Sequence, residues 1–314
     1  MGIISKILIS SPYPELIVRK AYYTFIRGKV KRKKDATSRE ISESIAHVSA
    51  DGLINHIRNL GIKEGDLLIV HSSAAALKTI DCSEVELLDY LIGLVGQTGT
   101  IALPAFPEES LLKEKENLKI YDPKRSVAWT GMLPNLMLRK KGAIRSCFPC
   151  NPLVAIGPMA EKMMEHNLHT EYAHDNKSCW GYCAENHAKV LFLGIPSYHS
   201  NTIIHTVEDY QPQFWPDNWY EEKEYFVNKA GELLRVKVKV RKVEWSKYLA
   251  ERYTEQKYIQ SNYIEKYNYE GIMISLINDS YELVNAIMSD WKKMRFYYLP
   301  QRLLHTESAM KRMS

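Results

Sequence analysis

Leu67-Leu68-Ile69-Val70-His71-Ser72-Ser73-Ala74-Ala75-Ala76-Leu77 decides the fold class. Its first residues form a short apolar run that reads as a buried strand. The strand delivers His71, Ser72 and Ser73 to its C-terminal end, directly before helix-forming alanines. Backbone N–H groups and hydroxyls receive anions at such places, and the same serines can equally serve as plain helix caps. Upstream, Ser49 caps a short helix with Leu53, Ile54, Ile57 and Leu60 on one face and Gly61 at its end. Downstream, Ser83 and Glu86 form a capping box ahead of a stripe of Val85, Leu88, Leu91, Ile92 and Val95, closed by Gly96. Ile101-Ala102-Leu103 is the next strand, stopped by Pro104. Helix, strand, helix, strand in that order predicts an α/β fold, with ligands at the strand C-termini.

Further strands are expected at Leu153–Gly157, Val190–Ile195 and Gly271–Ile277. Glu224–Val227 and Leu234–Val243, joined through Asn228–Gly231, read as an antiparallel hairpin. In it Val236, Val238 and Val240 alternate with Arg235, Lys237, Lys239 and Arg241, giving an apolar face and a basic one that reads as solvated ahead of phosphate-facing. After the Val190 strand comes Ser200-Asn201-Thr202-Ile203-Ile204-His205-Thr206-Val207-Glu208-Asp209-Tyr210. His205 and Glu208, three apart on a helical turn, share one face. The carboxylate can then hold one ring nitrogen and leave the other to take a proton.

At 314 residues, with 45% hydrophobic and 25% charged residues, the chain is globular, with room for one large domain or two modest ones. No apolar run is long enough to span a bilayer and no signal-peptide pattern opens the chain, so the cytoplasm is expected. Five Cys without a dense framework point to a reducing compartment. A net charge of +5 tolerates anionic ligands, and no motif for nucleic acid is present.

Residues 1–46 differ from the rest. Ile3, Ile4, Ile7, Leu8, Leu16, Ile17, Ala21 and Phe25 look amphipathic and lead into Arg27-Gly28-Lys29-Val30-Lys31-Arg32-Lys33-Lys34. This reads as a basic arm that is solvated, clasps phosphates, or is in contact with an anionic membrane at its inner face. Exchange of the arm between two protomers would give a homodimer. Residues 47–314 form the main domain.

Several patterns match one family in the same order. They are Val70–Ser73, Gly96–Thr100 with Leu103-Pro104, Tyr121-Asp122-Pro123, Trp129–Pro134, Gly142–Ser146, Ala155–Ala160, Ser178–Gly181, Val190–Gly194 and Thr202-x-x-His205-x-x-Glu208. In these the chain resembles the aminoglycoside 3-N-acetyltransferases, over about residues 49–209 and more weakly to 287. The resemblance implies a three-layer α/β/α sandwich with a largely parallel central sheet. It also implies an acetyl-CoA cosubstrate, no metal, and direct attack of an acceptor amine on the thioester. His205 falls on the family's active-site His, Glu208 on the carboxylate orienting it, and Thr202 on a Thr placed to polarise the thioester carbonyl or hold the amine. Ser72 and Ser73, with His71 beside them at the ligand edge, fall where the family contacts coenzyme A, and Arg145-Ser146 on a loop near its arm.

Phe148 departs from the family by replacing a usual His, and Asn151 stands near a usual Ser. Both positions bear on the acceptor pocket, together with Asp122, Asp209 and Tyr210. Carboxylates at Asp122, Glu171, Asp175, Glu208 and Asp209 are set against the basic arm and basic strand face. That balance predicts a weakly cationic acceptor: an amino sugar, nucleotide-linked, as in surface-polysaccharide (O-antigen) synthesis. The alternative is an aminoglycoside, and with it antibiotic resistance. Tyr210, Phe214, Trp215, Trp219 and Tyr220 suit either sugar stacking or the edge of the core.

Three other readings compete. A Cys nucleophile (Cys147, Cys150, Cys179 or Cys183) could work with His205. Cys147-x-x-Cys150 and Cys179-x-x-x-Cys183 with His174 have zinc-like spacing. The chain could also be a non-catalytic coenzyme A or sugar-nucleotide binder.

Overall fold

Leu67 and Ile69 point to one side of a central sheet and Leu68 and Val70 to the other, and both sides are covered. The computed structural model describes residues 3–26, 47–215 and 218–292. Its strands are β1 (Leu67–Ser72), β2 (Thr100–Pro104), β3 (Lys113–Lys115), β4 (Leu118–Tyr121), β5 (Ile144–Arg145), β6 (Leu153–Ile156), β7 (Lys189–Leu193), β8 (Tyr220–Lys229), β9 (Glu232–Arg241), β10 (Glu265–Tyr269) and β11 (Ile272–Ile277). The seven-stranded sheet runs β10-β11-β7-β1-β2-β6-β5. Helices Ala50–Asn59 and Glu84–Val95 cover one face through Leu53, Ile57, Leu88 and Leu91. Trp180, Ile203, Val207 and Leu283 cover the other. This is the expected α/β/α layering.

Parallel pairing belongs to the middle of the sheet, where β1 lies parallel to both β2 and β7. The flanking pairs, β2 with β6, β6 with β5, β7 with β11 and β11 with β10, are antiparallel. A tight turn explains the last of these. Glu270 and Gly271 both have positive φ (47° and 89°), the geometry of a two-residue hairpin. The same device at Ala230-Gly231 (55° and 97°) closes the expected β8–β9 hairpin, which joins β3 and β4 in a second sheet of order β3-β4-β8-β9.

The Ser83–Glu86 capping box forms, but the helix buries Leu87, Leu88, Leu91, Leu94 and Val95. Val85 lies off that stripe and is exposed. Ahead of the main body, helices Ile3–Ser10 and Pro12–Ala21 dock on helix Glu251–Gln260. Glu15 accepts from the backbone N–H of Arg252 (2.9 Å) and Tyr253 (3.3 Å), and Arg19 pairs with Glu15 and Glu251. The basic run of residues 27–34 lies outside the described residues.

Candidate active site

The turn carrying His205 follows β7 because Gly194 permits it. Its φ is +67°, and a Cβ there would meet the Ala76 Cβ at 2.0 Å. The chain then runs through short helical turns at Thr202–His205 and Thr206–Asp209. Ile203 and Val207, four apart, anchor one side of these turns in the core, which turns His205 and Glu208 the other way.

His205 Nδ1 lies 2.8 Å from Glu208 Oε1. Donation of Nδ1–H to the carboxylate places the ring lone pair on Nε2. Glu208 is buried, and Arg241 on β9 donates to the same Oε1 at 3.0 Å. Burial by itself raises the Glu208 carboxyl, but the Arg241 guanidinium and the His205 ring outweigh it and hold the group down at about 2. Trp215 Nε1 (2.8 Å) and Tyr220 Oη (3.2 Å) donate to the Glu208 carbonyl and fix the turn from below.

A second His–carboxylate pair lies alongside. Asp209 Oδ2 meets the backbone N–H of His174 (3.0 Å) and its Nδ1 (2.8 Å), while Asp209 Oδ1 accepts from Tyr220 (2.8 Å). Asn151 Nδ2, 3.1 Å from His174 Nε2, is placed to donate to it. Burial lowers the His174 pKa against the pull of Asp209. The two imidazoles are 5.3 Å apart. Parallel pairing of Tyr172 with Lys239 brings residues 170–174 against β9 and sets His174 beside the dyad.

Two cavities meet here. The larger, about 440 Å³, is lined by His205, Glu208, Asp209, His174, Lys239 and Arg241, and its size suits a small molecule. The smaller, about 150 Å³, is lined by Val70, His71, Ser72, Leu103, Ile195 and Thr202. Phe106 and Trp129 border both. Thr202 thus faces the smaller cavity and His205, one turn on, the larger. Burial pushes His71 down to about 3, so it is neutral, and its Nε2 has no hydrogen-bond partner. A narrow, mostly apolar slot with an orphaned ring nitrogen and hydroxyls at its sides fits an amide-bearing alkyl arm such as that of coenzyme A.

Other expected site residues are placed elsewhere. Ser73 stands at the N-terminus of helix Ala74–Leu77, outside the lining of both cavities. Arg145 is buried over Tyr121 and donates to the carbonyls of Ser126 and Ala105, and Ser146 Oγ accepts from the Phe148 N–H (3.1 Å). Both hold the frame and line neither cavity. Asp122 organises a turn by accepting from Lys124 and Arg125 N–H and from Asn228 (3.0 Å). Phe148 sits in a small apolar cluster with Ala173, Tyr225 and Val238, behind the cavity wall. Tyr210 points toward Gly181 and Glu185 (3.4 and 3.5 Å). Trp215 and Trp219 stack at 4.4 Å inside the core, so they are not stacking platforms for a sugar; the Phe214 side chain lies outside the described residues. Phe106 and Trp129 border the cavities; the sequence offers no sign of Phe106 there, and gives Trp129 only as the start of a matched pattern. Neither Arg241 as a site residue nor the His174–Asp209 contact carries a local spacing signal.

Cys150 reaches the larger cavity, but burial pushes its thiol up to about 12, and burial likewise raises Cys179 to about 11. That is the wrong direction for a nucleophile. Among the described residues no group of three His, Cys, Asp or Glu is placed to hold a metal ion.

Fold and site together define an α/β protein with a His–carboxylate pair where two cavities meet. The chain belongs to the aminoglycoside 3-N-acetyltransferase family, whose sequence profile matches residues 69–284. It is 31% identical over 166 residues to aminoglycoside N(3)-acetyltransferase III of Salmonella sp, covering 48% of this chain and 57% of that protein. It is 26% identical over 183 residues to aminoglycoside N(3)-acetyltransferase IX of Micromonospora chalcea, covering 54% and 64%. The chain therefore spans somewhat over half the length of these curated relatives. Among solved structures, AAC-IIIb in a binary complex with CoASH superposes with a TM-score of 0.67 at 21% identity, covering 80% of this chain and 98% of that one. AAC-VIa bound to sisomicin superposes with 0.66 at 20% identity, covering 80% and 99%. Both share the fold.

Proposed function

We propose that this chain transfers the acetyl group of acetyl-CoA directly to an amino group of an aminoglycoside. The observation that carries the reading is the single turn that puts Thr202 in the smaller cavity and His205 in the larger one. Bound acetyl-CoA supplies a thioester carbonyl that the amine attacks, breaking the C–S bond and expelling the coenzyme A sulfur as a thiolate, which then takes up the proton collected by His205 and leaves as the thiol. His205 Nε2 takes the proton that the amine nitrogen sheds, and Glu208 stabilises the resulting imidazolium. Thr202 donates toward the oxygen on which negative charge develops. Val70, Leu103 and Ile195 exclude water from the slot.

Family membership supports an aminoglycoside ahead of the nucleotide-linked amino sugar expected from charge balance. One observation keeps a less cationic acceptor as the second reading: Lys223, Lys239 and Arg241 stand in the wall of the larger cavity with Glu109, Glu208, Asp209 and Glu221, so the wall is nearly balanced in charge rather than strongly acidic, and Glu208 and Asp209 are engaged by groups of the protein itself. Thiol release from acetyl-CoA, measured against sisomicin, gentamicin and a nucleotide-linked amino sugar, tests both readings. Amine-dependent release that falls about 10²- to 10⁴-fold in His205→Ala is expected. Release that no amine stimulates refutes the function, and preference for the nucleotide-linked sugar selects the second reading.

A further inference from the structure

The N-terminal helical pair turns several large apolar side chains outward, although Leu16 is buried. Glu15 is buried, and Arg19 faces Glu15 and Glu251 against the main body. Ile4, Ile7, Ile17, Val18 and Phe25 are 75, 53, 69, 57 and 70% exposed. A surface helix of a soluble protein ordinarily turns such residues to the core. Here the ion pairs and the Glu15 contacts to the Arg252 and Tyr253 amides clamp the pair in the opposite sense.

We infer that this outward face docks on an anionic lipid surface. Charge complementarity names the occupant. Lys6 and Lys20 are exposed on the same helices, and the chain leaves them at residue 26 directly into Arg27, Lys29, Lys31, Arg32, Lys33 and Lys34. Apolar side chains flanked by a dense cationic run suit the headgroup region of a bilayer with acidic lipids, where each part reinforces the other. A second copy of the chain would bring the same cations against their like, which disfavours self-association through this face. No helix among the described residues is long and apolar enough to cross a membrane.

The test is sedimentation of the full chain with vesicles of phosphatidylcholine alone, or of phosphatidylcholine and phosphatidylglycerol at about 3:1. Binding to the anionic vesicles should exceed binding to the neutral ones at least tenfold. It should weaken between about 0.1 and 1 M salt as the Debye length falls from about 10 to 3 Å. Ile17→Asp/Val18→Asp should lower anionic binding at least tenfold with an unchanged circular dichroism spectrum and unchanged thiol release in solution. Equal, weak sedimentation with both vesicles overturns the inference, as does binding indifferent to the double substitution. A dimer that the double substitution splits overturns it too, because a second copy then covers the face.

Discussion

Replacing Arg241 with Met removes the cation beside Glu208 while keeping most of the side-chain packing. Held at about 2 instead of 4.5, the Glu208 carboxylate contributes roughly 3 kcal/mol to folding at neutral pH. Removing one partner of a buried pair costs about 3–5 kcal/mol, so Arg241→Met should lose about 3 kcal/mol at pH 7. The pH dependence carries a sign. A depressed folded value stabilises above about pH 4.5 and is lost as the pH falls through about 2. In the variant burial is less opposed and the carboxyl rises, so its deficit should shrink on acidification and vanish near pH 2. Urea unfolding followed by fluorescence of the buried Trp215 and Trp219 measures this at each pH. Glu208→Gln/Arg241→Met should lose less than Arg241→Met alone, because no unpaired charge is left buried. A loss below about 0.5 kcal/mol at pH 7, or a deficit that does not change on acidification, would show that Glu208 and Arg241 do not interact as a desolvated pair.

Gly194→Ala should destabilise by about 1–3 kcal/mol, since it combines a positive φ with a clash on Ala76. Adding Ala76→Gly should recover only the clash, as thermal melts of the single and double variants will reveal. Asp209→Asn replaces a carboxylate that accepts from His174 and Tyr220 by an amide with fewer acceptors, and about 1–3 kcal/mol should be lost in urea unfolding. Cys150→Ser should retain most thiol release, because burial keeps that thiol protonated; a loss near that of His205→Ala would reinstate an acetyl-enzyme route.

What could be seen in the sequence was what is local. The Leu67–Val70 run, the Ser83–Glu86 box and the His205–Glu208 spacing each depend on residues within a few positions, and each appears as expected. The flanking antiparallel strands and the inward Leu87 and Leu94 depend on tight turns and helix phase, which composition states poorly. Arg145, Ser146, Asp122 and Phe148 lay close in sequence to matched patterns, yet backbone carbonyls, turn amides and an apolar cluster claim their side chains. Nearness to a pattern identified a region and could not identify which side chains in it face a ligand.

The hairpin β8–β9 shows why the larger cavity, the proposed acceptor side, was the less legible half. Its alternating valines and cations read as a solvated face, and Lys237 is exposed accordingly. Val238, on the opposite side, is buried against Phe148 and Ala173. That pins the strand's register, so Arg241 reaches Glu208 and Lys239 pairs with the chain carrying His174. The smaller cavity, the proposed donor slot, is built instead from the ends of β1, β2 and β7 and the helical turn carrying Thr202. On the proposed reading different elements serve the two ligands, and substitutions confined to β9 at Lys239 should alter the KM of the acceptor and leave that of acetyl-CoA nearly unchanged. Steady-state kinetics of Lys239→Ala with each substrate varied in turn would decide it: equal shifts in both constants would mean that the two cavities do not act as separate compartments.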